Sequence, residues 1–159
     1  MIELVRGDIL SIEADAAVLS AHPTLVAGSG LSGQFHREAG PELEAAARPL
    51  GPLDPGHSVV TNGYRLRAPL VVHAVAPRYL VGSEQEQATL RHTYMSVFEH
   101  SELADCKRIV FPAIGVGIYR WPIPLAASIA LSALQESPFE RTIVCLYDDE
   151  NFYAYKNLI

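Results

Sequence analysis

Apolar residues in this chain form short continuous runs, which alternate with longer stretches where they recur every three or four positions. The short runs predict strands at residues 2–5, 16–19, 58–62, 70–75, 108–111 and 142–146. The longer stretches predict helices at residues 32–39, 41–47, 84–103 and 124–135, with a closing helical turn from residue 150. Strands that alternate with helices indicate an α/β fold, a three-layer α/β/α arrangement. A length of 159 residues suits a single domain over residues 1–159.

The composition is that of an ordinary globular protein, with 49% apolar and 19% charged residues. No apolar run is long enough to span a membrane, so we expect a soluble protein. The first six residues lack the pattern of a secretory signal, and we therefore expect a cytoplasmic location. A net charge of −6 argues against broad electrostatic binding of nucleic acid, which needs a basic face.

The cysteines and histidines predict neither a disulfide nor a metal site. Cys106 and Cys145 belong to no CxxC motif, so we expect both to be reduced and structural. The six histidines are not spaced as a ligand set, and we expect no metal and no cofactor. The serines close in sequence to His22 lie in no GxSxG motif, which leaves nucleophilic catalysis unsupported.

Two glycine-bearing loops are the strongest functional signal, and each lies between an apolar run and a helical pattern. The first reads Gly28-Ser29-Gly30-Leu31-Ser32-Gly33, and the second reads Gly115-Val116-Gly117-Ile118-Tyr119. Glycine lets the backbone approach an oxyanion closely, and a helix that begins after such a loop directs free N–H groups at the ligand. The two loops predict the walls of a pyrophosphate cleft. Ordinary turns are the alternative interpretation.

The first loop also matches the GxGxxG pattern of dinucleotide-binding folds, with Asp54 about twenty residues further on. That fingerprint requires the first glycine to follow a strand directly, whereas residues 22–27 intervene here. Asp54 lies in the loop rich in Pro and Gly and does not close a second strand. A Rossmann-type dinucleotide binder therefore remains a less favoured alternative.

Several sequence blocks occur in the order that they have in macrodomains, the ADP-ribose-binding family. These blocks are Gly7-Asp8-Ile9, Asp15-Ala16-Ala17-Val18, the first glycine loop, His36-Arg37-Glu38-Ala39-Gly40, His73-Ala74-Val75-Ala76-Pro77 and Phe111-Pro112-Ala113-Ile114 followed by the second glycine loop. The chain resembles a macrodomain over nearly all of its length. The resemblance implies a central mixed sheet and a cleft for ADP-ribose.

The resemblance also implies roles at the adenine end of that cleft. Asp8 matches the carboxylate that accepts a hydrogen bond from the adenine amine, and Ile9 would supply a backbone contact. Tyr147 resembles the aromatic residue that packs against the adenine or its ribose. From the residues alone, Asp8 is equally typical of a turn or a helix cap, and Tyr147 is equally typical of core filling.

The two glycine loops are implied to hold the diphosphate and the distal ribose. On one side the ligand would meet Gly28, Ser29, Gly30, Leu31 and Ser32. On the other side it would meet the N–H groups of Gly115, Val116, Gly117 and Ile118, with Tyr119, Ala21 and His22 near the distal ribose. We expect His36 and His73, which also match the family, to be packed or locally hydrogen-bonded, and we expect the side chains of Arg37, Arg65, Arg67 and Arg78 to be solvated.

The departures from the family pattern bear on catalysis. Where the family commonly has Asn-Ala-Ala-Asn, this chain has Leu19-Ser20-Ala21-His22, and the aspartate of many hydrolases is replaced by Ser32. A serine hydroxyl cannot by itself act as the missing base. The domain is then either a reader that binds ADP-ribosyl groups without cleaving them, or a divergent hydrolase that uses His22 as its base. A substrate-assisted route, in which the ligand's own phosphate orients the water, would need neither residue.

A third interpretation is a vestigial cleft in a protein-interaction module. Leu19, together with the β-carbons of Ala27 and Ser29, would then narrow the distal pocket. The joint presence of Asp8, the second glycine loop and Tyr147 argues against it.

Overall fold

The computed structural model describes residues 2–159, which form one six-stranded sheet. Its strands are β1 (Ile2–Arg6), β2 (Ala16–Ser20), β3 (Ser58–Asn62), β4 (Leu70–Ala74), β5 (Arg108–Phe111) and β6 (Arg141–Leu146). The spatial order is β1-β6-β5-β2-β4-β3, in which β3 runs antiparallel to β4 and all other neighbours are parallel. The predicted α/β fold with a mixed sheet is confirmed.

Helices cover both faces of this sheet. One face carries α1 (Gly30–Ala39) and α2 (Pro41–Ala47), and the other carries α3 (Glu84–Val97), α4 (Ile123–Leu134) and α5 (Asp149–Lys156). A hydrophobic core lies on each face of the sheet, and successive side chains of the inner strands enter these two cores alternately. In β2, for example, Val18 packs towards α3 and α4, and Leu19 packs towards α1 and α2. Burial on both faces explains why these strands read as continuous apolar runs.

The helix predicted over residues 84–103 is six residues shorter in the structure. It begins as expected, because Ser83 Oγ accepts a hydrogen bond from the Glu86 N–H at 3.1 Å. It ends at Val97, and a separate 3-10 turn follows at Ser101–Leu103. The His100 ring lies 2.8 Å from Ser58 Oγ on β3, a tertiary contact that draws the chain out of the helical path.

The topology excludes the dinucleotide-binding alternative. Residues 21–29 separate β2 from α1, so Gly28 does not lie in the turn directly after a strand. Asp54 lies in the loop before β3 and not at a strand end. The strand order also differs from the 3-2-1-4-5-6 order of that fold.

Both cysteines are free, with Cys106 partly buried and Cys145 buried. Among residues 2–159, no helix combines the length and the apolar character needed to cross a membrane.

Candidate functional site

The carboxyl ends of the five parallel strands meet at one edge of the sheet, which we call the carboxyl edge. Asp8 follows β1, His22 follows β2, the second glycine loop follows β5 and Tyr147 follows β6. The first glycine loop leads from the β2 end into α1. Ligands of α/β sheets bind outside this edge. The structure therefore brings the predicted site residues to the place where such a fold binds a ligand.

Asp8 and Tyr147 are neighbours across the β1 and β6 ends, because the Gly7 N–H donates to Leu146 O at 3.0 Å. Asp8 Oδ1 accepts from the Leu10 N–H at 3.0 Å and caps a 3-10 turn, Ile9–Ser11. Asp8 thus has the capping role expected of a turn aspartate. Its other carboxylate oxygen accepts no hydrogen bond from the described residues, so it is available to a ligand.

Tyr147 is not a core residue, since 82% of its surface is exposed. An exposed ring at the carboxyl edge can pack against a flat ligand. Ile9 differs, because its side chain is buried and only its backbone can contact a ligand.

Cys145 lies beneath this end of the site, where its Sγ donates to Gly7 O at 3.4 Å. Burial, together with the nearby charge of Asp8, raises the pKa of the Cys145 thiol to about 11. The thiol is therefore protonated near neutral pH and is not a nucleophile.

The first glycine loop folds back on itself at Gly33. A β-carbon at Gly33 would lie 2.5 Å from Gly28 O, so only glycine permits this approach. Gly30 adopts a positive φ of 61°, and Ser29 makes no side-chain cap to α1. Outside the loop, the Ala27 N–H donates to Glu44 Oε1 at 3.2 Å. The exposed part of the loop comprises Gly28, Ser29 and Gly30.

Ser32 is the one member of this loop with a buried polar side chain. Its Oγ has no hydrogen-bond partner among residues 2–159. Buried hydroxyl groups nearly always have a partner. Ser32 Oγ has almost no accessible surface, so it is a candidate to bond a buried water, or a ligand whose binding shifts the loop. The preceding Leu31 is half-buried and packs against the core below α1.

His22 is exposed, and its ring is held by Thr24. The Thr24 N–H donates to His22 Nδ1 at 3.1 Å, and Thr24 Oγ1 lies 2.8 Å from the same atom. Because a backbone N–H can only donate, Nδ1 is unprotonated and the neutral ring carries its hydrogen on Nε2. His22 thus presents a donor to the solvent. Ala21 is buried, and its N–H donates to Ala74 O at 2.8 Å.

The second glycine loop is fixed by Trp121. Gly115 has a φ of 92°, and a β-carbon there would lie 2.8 Å from Trp121 Cδ1. The Trp121 N–H donates to Gly115 O at 3.1 Å, and its indole Nε1–H donates to Pro77 O at 2.9 Å. The indole is 2% exposed, so the loop is anchored in the core.

The outer part of this loop contacts the segment after β4. The Tyr79 N–H donates to Tyr119 O at 3.0 Å. The guanidinium carbon of Arg78, expected to be a solvated side chain, is exposed and lies 5.5 Å from the centre of the Tyr119 ring, within cation–π range. Within the loop, Gly117 and Ile118 are exposed and Val116 is half-buried.

His36 and His73 lie beneath the first loop, with ring centres 6.3 Å apart. His73 Nε2 is 2.9 Å from Thr61 Oγ1, and the Nδ1 atoms of both rings lack partners among residues 2–159. Burial lowers the pKa of both rings, that of His73 to about 4 with a further contribution from His36. Both are neutral packed histidines at pH 7, as expected.

Leu19 takes no space from the site. Its side chain is completely buried in the core under α1 and α2. Leu19 therefore does not narrow the cleft, and the prediction that it does is wrong. The other two residues of that prediction, Ala27 and Ser29, are exposed.

Sequence reasoning missed three features of this edge. These are the Thr24 contact to His22, the positive φ of 64° at Arg120, and an exposed apolar pair at Leu80 and Val81. The spacing of Ser83 and Glu86 is a capping-box signal that would have located the turn carrying this pair.

Comparison with known proteins identifies relatives of the whole chain. The family model described as Macro domain matches residues 18–130. An O-acetyl-ADP-ribose deacetylase from an Enterobacter species is 37% identical, covering 99% of this chain and 93% of its own length. A macro domain-containing protein of Chlorobaculum tepidum is 34% identical, covering 100% and 95%.

Solved structures agree with this result. A variant of the Oceanobacillus iheyensis macrodomain with ADPR has a TM-score of 0.91 at 29% identity, covering 98% of this chain and 90% of its own. The Trypanosoma brucei macrodomain in complex with ADP-ribose has a TM-score of 0.88 at 28% identity, covering 99% and 68%.

Proposed function

Because the chain belongs to the macro domain family, we propose that it binds ADP-ribose, or an ADP-ribosyl group carried by another molecule, at the carboxyl edge. The observation that carries the proposal is the convergence there of two glycine loops and the unpartnered oxygen of Asp8. The ADP-ribose bound to similar macrodomains supports it. We propose further that residues 1–159 act as one domain.

At the adenine end, Asp8 accepts a hydrogen bond from the exocyclic amine through the oxygen that does not cap the turn. Tyr147 packs against the adenine or its ribose, and the Ile9 backbone completes the contact. The diphosphate lies between the two glycine loops, where backbone N–H groups and the N-terminus of α1 favour an anion.

At the distal ribose, the polar groups offered are a hydrogen-bond donor and a hydroxyl group, which can both donate and accept. His22 donates through Nε2–H, and Ser32 contributes its unpartnered hydroxyl. Tyr119 packs beside the ribose, with Ala21 below it. These roles are those of a reader, because in this arrangement no side chain at this end offers a free base.

Hydrolysis is the second candidate function, and the deacetylase names of several relatives favour it. For His22 to act as the base, the lone pair must move to Nε2, which breaks the Thr24 N–H bond at a cost of about 1 kcal/mol. The substrate-assisted route avoids this cost. If His22 is the base, H22A abolishes the hydrolysis of O-acetyl-ADP-ribose. An active H22A variant would point to the substrate-assisted route.

Calorimetric titration with ADP-ribose tests the main proposal, with AMP and NAD as comparison ligands. We expect selective binding of ADP-ribose and a loss of about 1–3 kcal/mol in D8A, the cost of removing a hydrogen-bond partner. D8N separates the two roles of Asp8, since an amide oxygen can still cap the turn. D54A, the same charge change in an exposed loop, is the control. Absence of heat with ADP-ribose would contradict the proposal and favour an interaction module with a vestigial cleft.

A further inference from the structure

Three large aliphatic side chains are exposed on two adjoining segments, and we call them the apolar patch. Leu80, Val81 and Ile118 are 75%, 79% and 78% exposed. The hydrogen bond from the Tyr79 N–H to Tyr119 O joins the two segments one residue from Leu80 and one residue from Ile118. A single exposed aliphatic residue is ordinary, whereas a contiguous group of them marks a surface that binds another molecule.

The turn that carries Leu80 and Val81 is held in place by Glu86. One oxygen of the Glu86 carboxylate accepts from the Leu80 N–H at 2.7 Å, from the Val81 N–H at 3.3 Å and from the Gly82 N–H at 3.2 Å. Ser83 Oγ donates to its other oxygen at 3.0 Å. The two aliphatic side chains are thus displayed on an ordered turn, which loses little entropy when a partner binds.

The charged residues around the apolar patch balance one another. Arg78 and Arg120 are positive, and Glu84 and Glu86 are negative. Neither arginine forms an ion pair within residues 2–159, and neither does the exposed Glu84. A strongly acidic or strongly basic partner therefore gains nothing here. Two copies of this chain, each of net charge −6, repel each other over most of their surface, and the patch is a place where the charges cancel.

The order of these residues makes the surface complementary to itself. Along the chain, the positive Arg78 comes first, the aliphatic Leu80 and Val81 follow, and the negative Glu84 comes last. When a twofold axis passes through the aliphatic pair, the positive end of one copy faces the negative end of the other. A twofold interface uses the same surface patch on both subunits and requires this kind of self-complementarity.

We infer that the apolar patch is the contact surface of a twofold dimer of this chain, in which the aliphatic side chains of two copies pack together and Arg78 of one copy faces Glu84 of the other. The inference does not depend on the proposed function. A standard interface buries about 800 Å² on each partner, more than three aliphatic side chains supply. The dimer is therefore a weak one, and we expect a dissociation constant between about 10 µM and 1 mM.

Sedimentation equilibrium from about 10 µM to 1 mM tests the inference in the absence of any ligand. We expect the apparent mass of the wild-type protein to rise with concentration from that of the monomer towards twice that value. L80S/V81S should remain monomeric over the same range. L158S/I159S, which changes exposed aliphatic residues elsewhere, is the control and should dimerise as the wild-type protein does. Urea denaturation establishes that each variant is folded.

Charge reversal tests which ends of the two patches meet. R78E places two carboxylates opposite each other at both ends of the interface, so we expect the dissociation constant to rise several-fold. E84R places two guanidinium groups opposite each other and should have the same effect. R78E/E84R exchanges the two signs and restores opposite charges across the interface. It should therefore recover the wild-type dissociation constant, which a non-specific aggregate would not do.

A wild-type protein that stays monomeric up to about 1 mM would overturn the inference. A dimer that survives in L80S/V81S would also overturn it, because the interface would then lie elsewhere. If R78E/E84R dimerises as weakly as the single reversals, Arg78 and Glu84 of two copies do not meet, and the twofold arrangement is wrong. Failure to bind ADP-ribose would remove the proposed function and leave the dimer intact.

Discussion

The second glycine loop is tied to the core through Trp121 and to the segment after β4 through Tyr119, whereas the first loop is tied mainly to itself. The Trp121 backbone N–H donates to Gly115 O within the second loop, and its indole N–H donates to Pro77 O of the segment after β4. In the first loop, Gly33 packs against Gly28 O, and the Ser32 hydroxyl remains unpartnered. One wall of the proposed cleft is complete without a ligand, and the other contains a buried polar group that a ligand can satisfy once the loop shifts to expose it.

This difference assigns different tasks to the two walls. A preformed wall loses little entropy when a ligand binds, so it contributes shape and position. A wall with an unpartnered hydroxyl gains a hydrogen bond only when the ligand is present, so it contributes to affinity. We therefore expect substitutions that affect the second loop to lower mainly the free energy of unfolding. Substitutions in the first loop should weaken mainly the binding of the ligand.

The largest expected effect is at Trp121. We expect W121A to lower the free energy of unfolding by about 3–5 kcal/mol, the usual cost of removing a buried aromatic side chain. Denaturation in urea measures it. W121F, which keeps most of the packing and loses the bond to Pro77 O, should cost only about 1–2 kcal/mol. A loss below 1 kcal/mol in W121A would show that the second loop does not depend on its anchor.

Acid should destabilise the core beneath the first loop, where His36 of α1 lies next to His73 of β4. The folded pKa of His73 is about 4, against 6.5 when unfolded, so the unfolded chain binds more protons between these values. The free energy of unfolding therefore falls as pH drops from 6.5, by about 3 kcal/mol at pH 4. The lowered pKa of His36 acts in the same direction.

Urea denaturation at pH 7 and pH 5 measures this dependence above the range where most carboxylates titrate. We expect H73Q to flatten it, because an amide cannot take up the proton. A wild-type stability that is the same at both pH values would contradict the assignment of His73 as a neutral buried group.

The sheet and its helices were largely predictable, because strands buried on both faces produce apolar runs with little ambiguity. The same double burial hid the position of Leu19, since a period of two cannot tell which core a side chain enters when both are apolar. The end of α3 could not be predicted from the sequence, because it depends on the contact between His100 and Ser58, which are 42 residues apart.

Sequence order correctly indicated that both glycine loops lie between a strand and a helix of the fold, and it left the state of their side chains undetermined. The carboxyl edge collects the residues because parallel strands end together. The ring state of His22 follows from a bond to Thr24, two residues away, and is a local feature that a turn analysis would detect. The unpartnered Ser32 hydroxyl depends on what surrounds α1 in three dimensions, so no sequence pattern predicts it.

The smallest expected effect is at Ser32, and it tests the difference between the two glycine loops most directly. Removing the Ser32 hydroxyl breaks no hydrogen bond within residues 2–159, so S32A should leave the free energy of unfolding unchanged or raise it by up to about 1 kcal/mol. If the hydroxyl bonds the ligand, the same variant binds ADP-ribose several-fold more weakly in calorimetry. S20A, at the end of β2, is the matched control. A variant with lower stability and unchanged affinity would mean that Ser32 has a structural partner such as a buried water, and the first loop would then be as complete as the second.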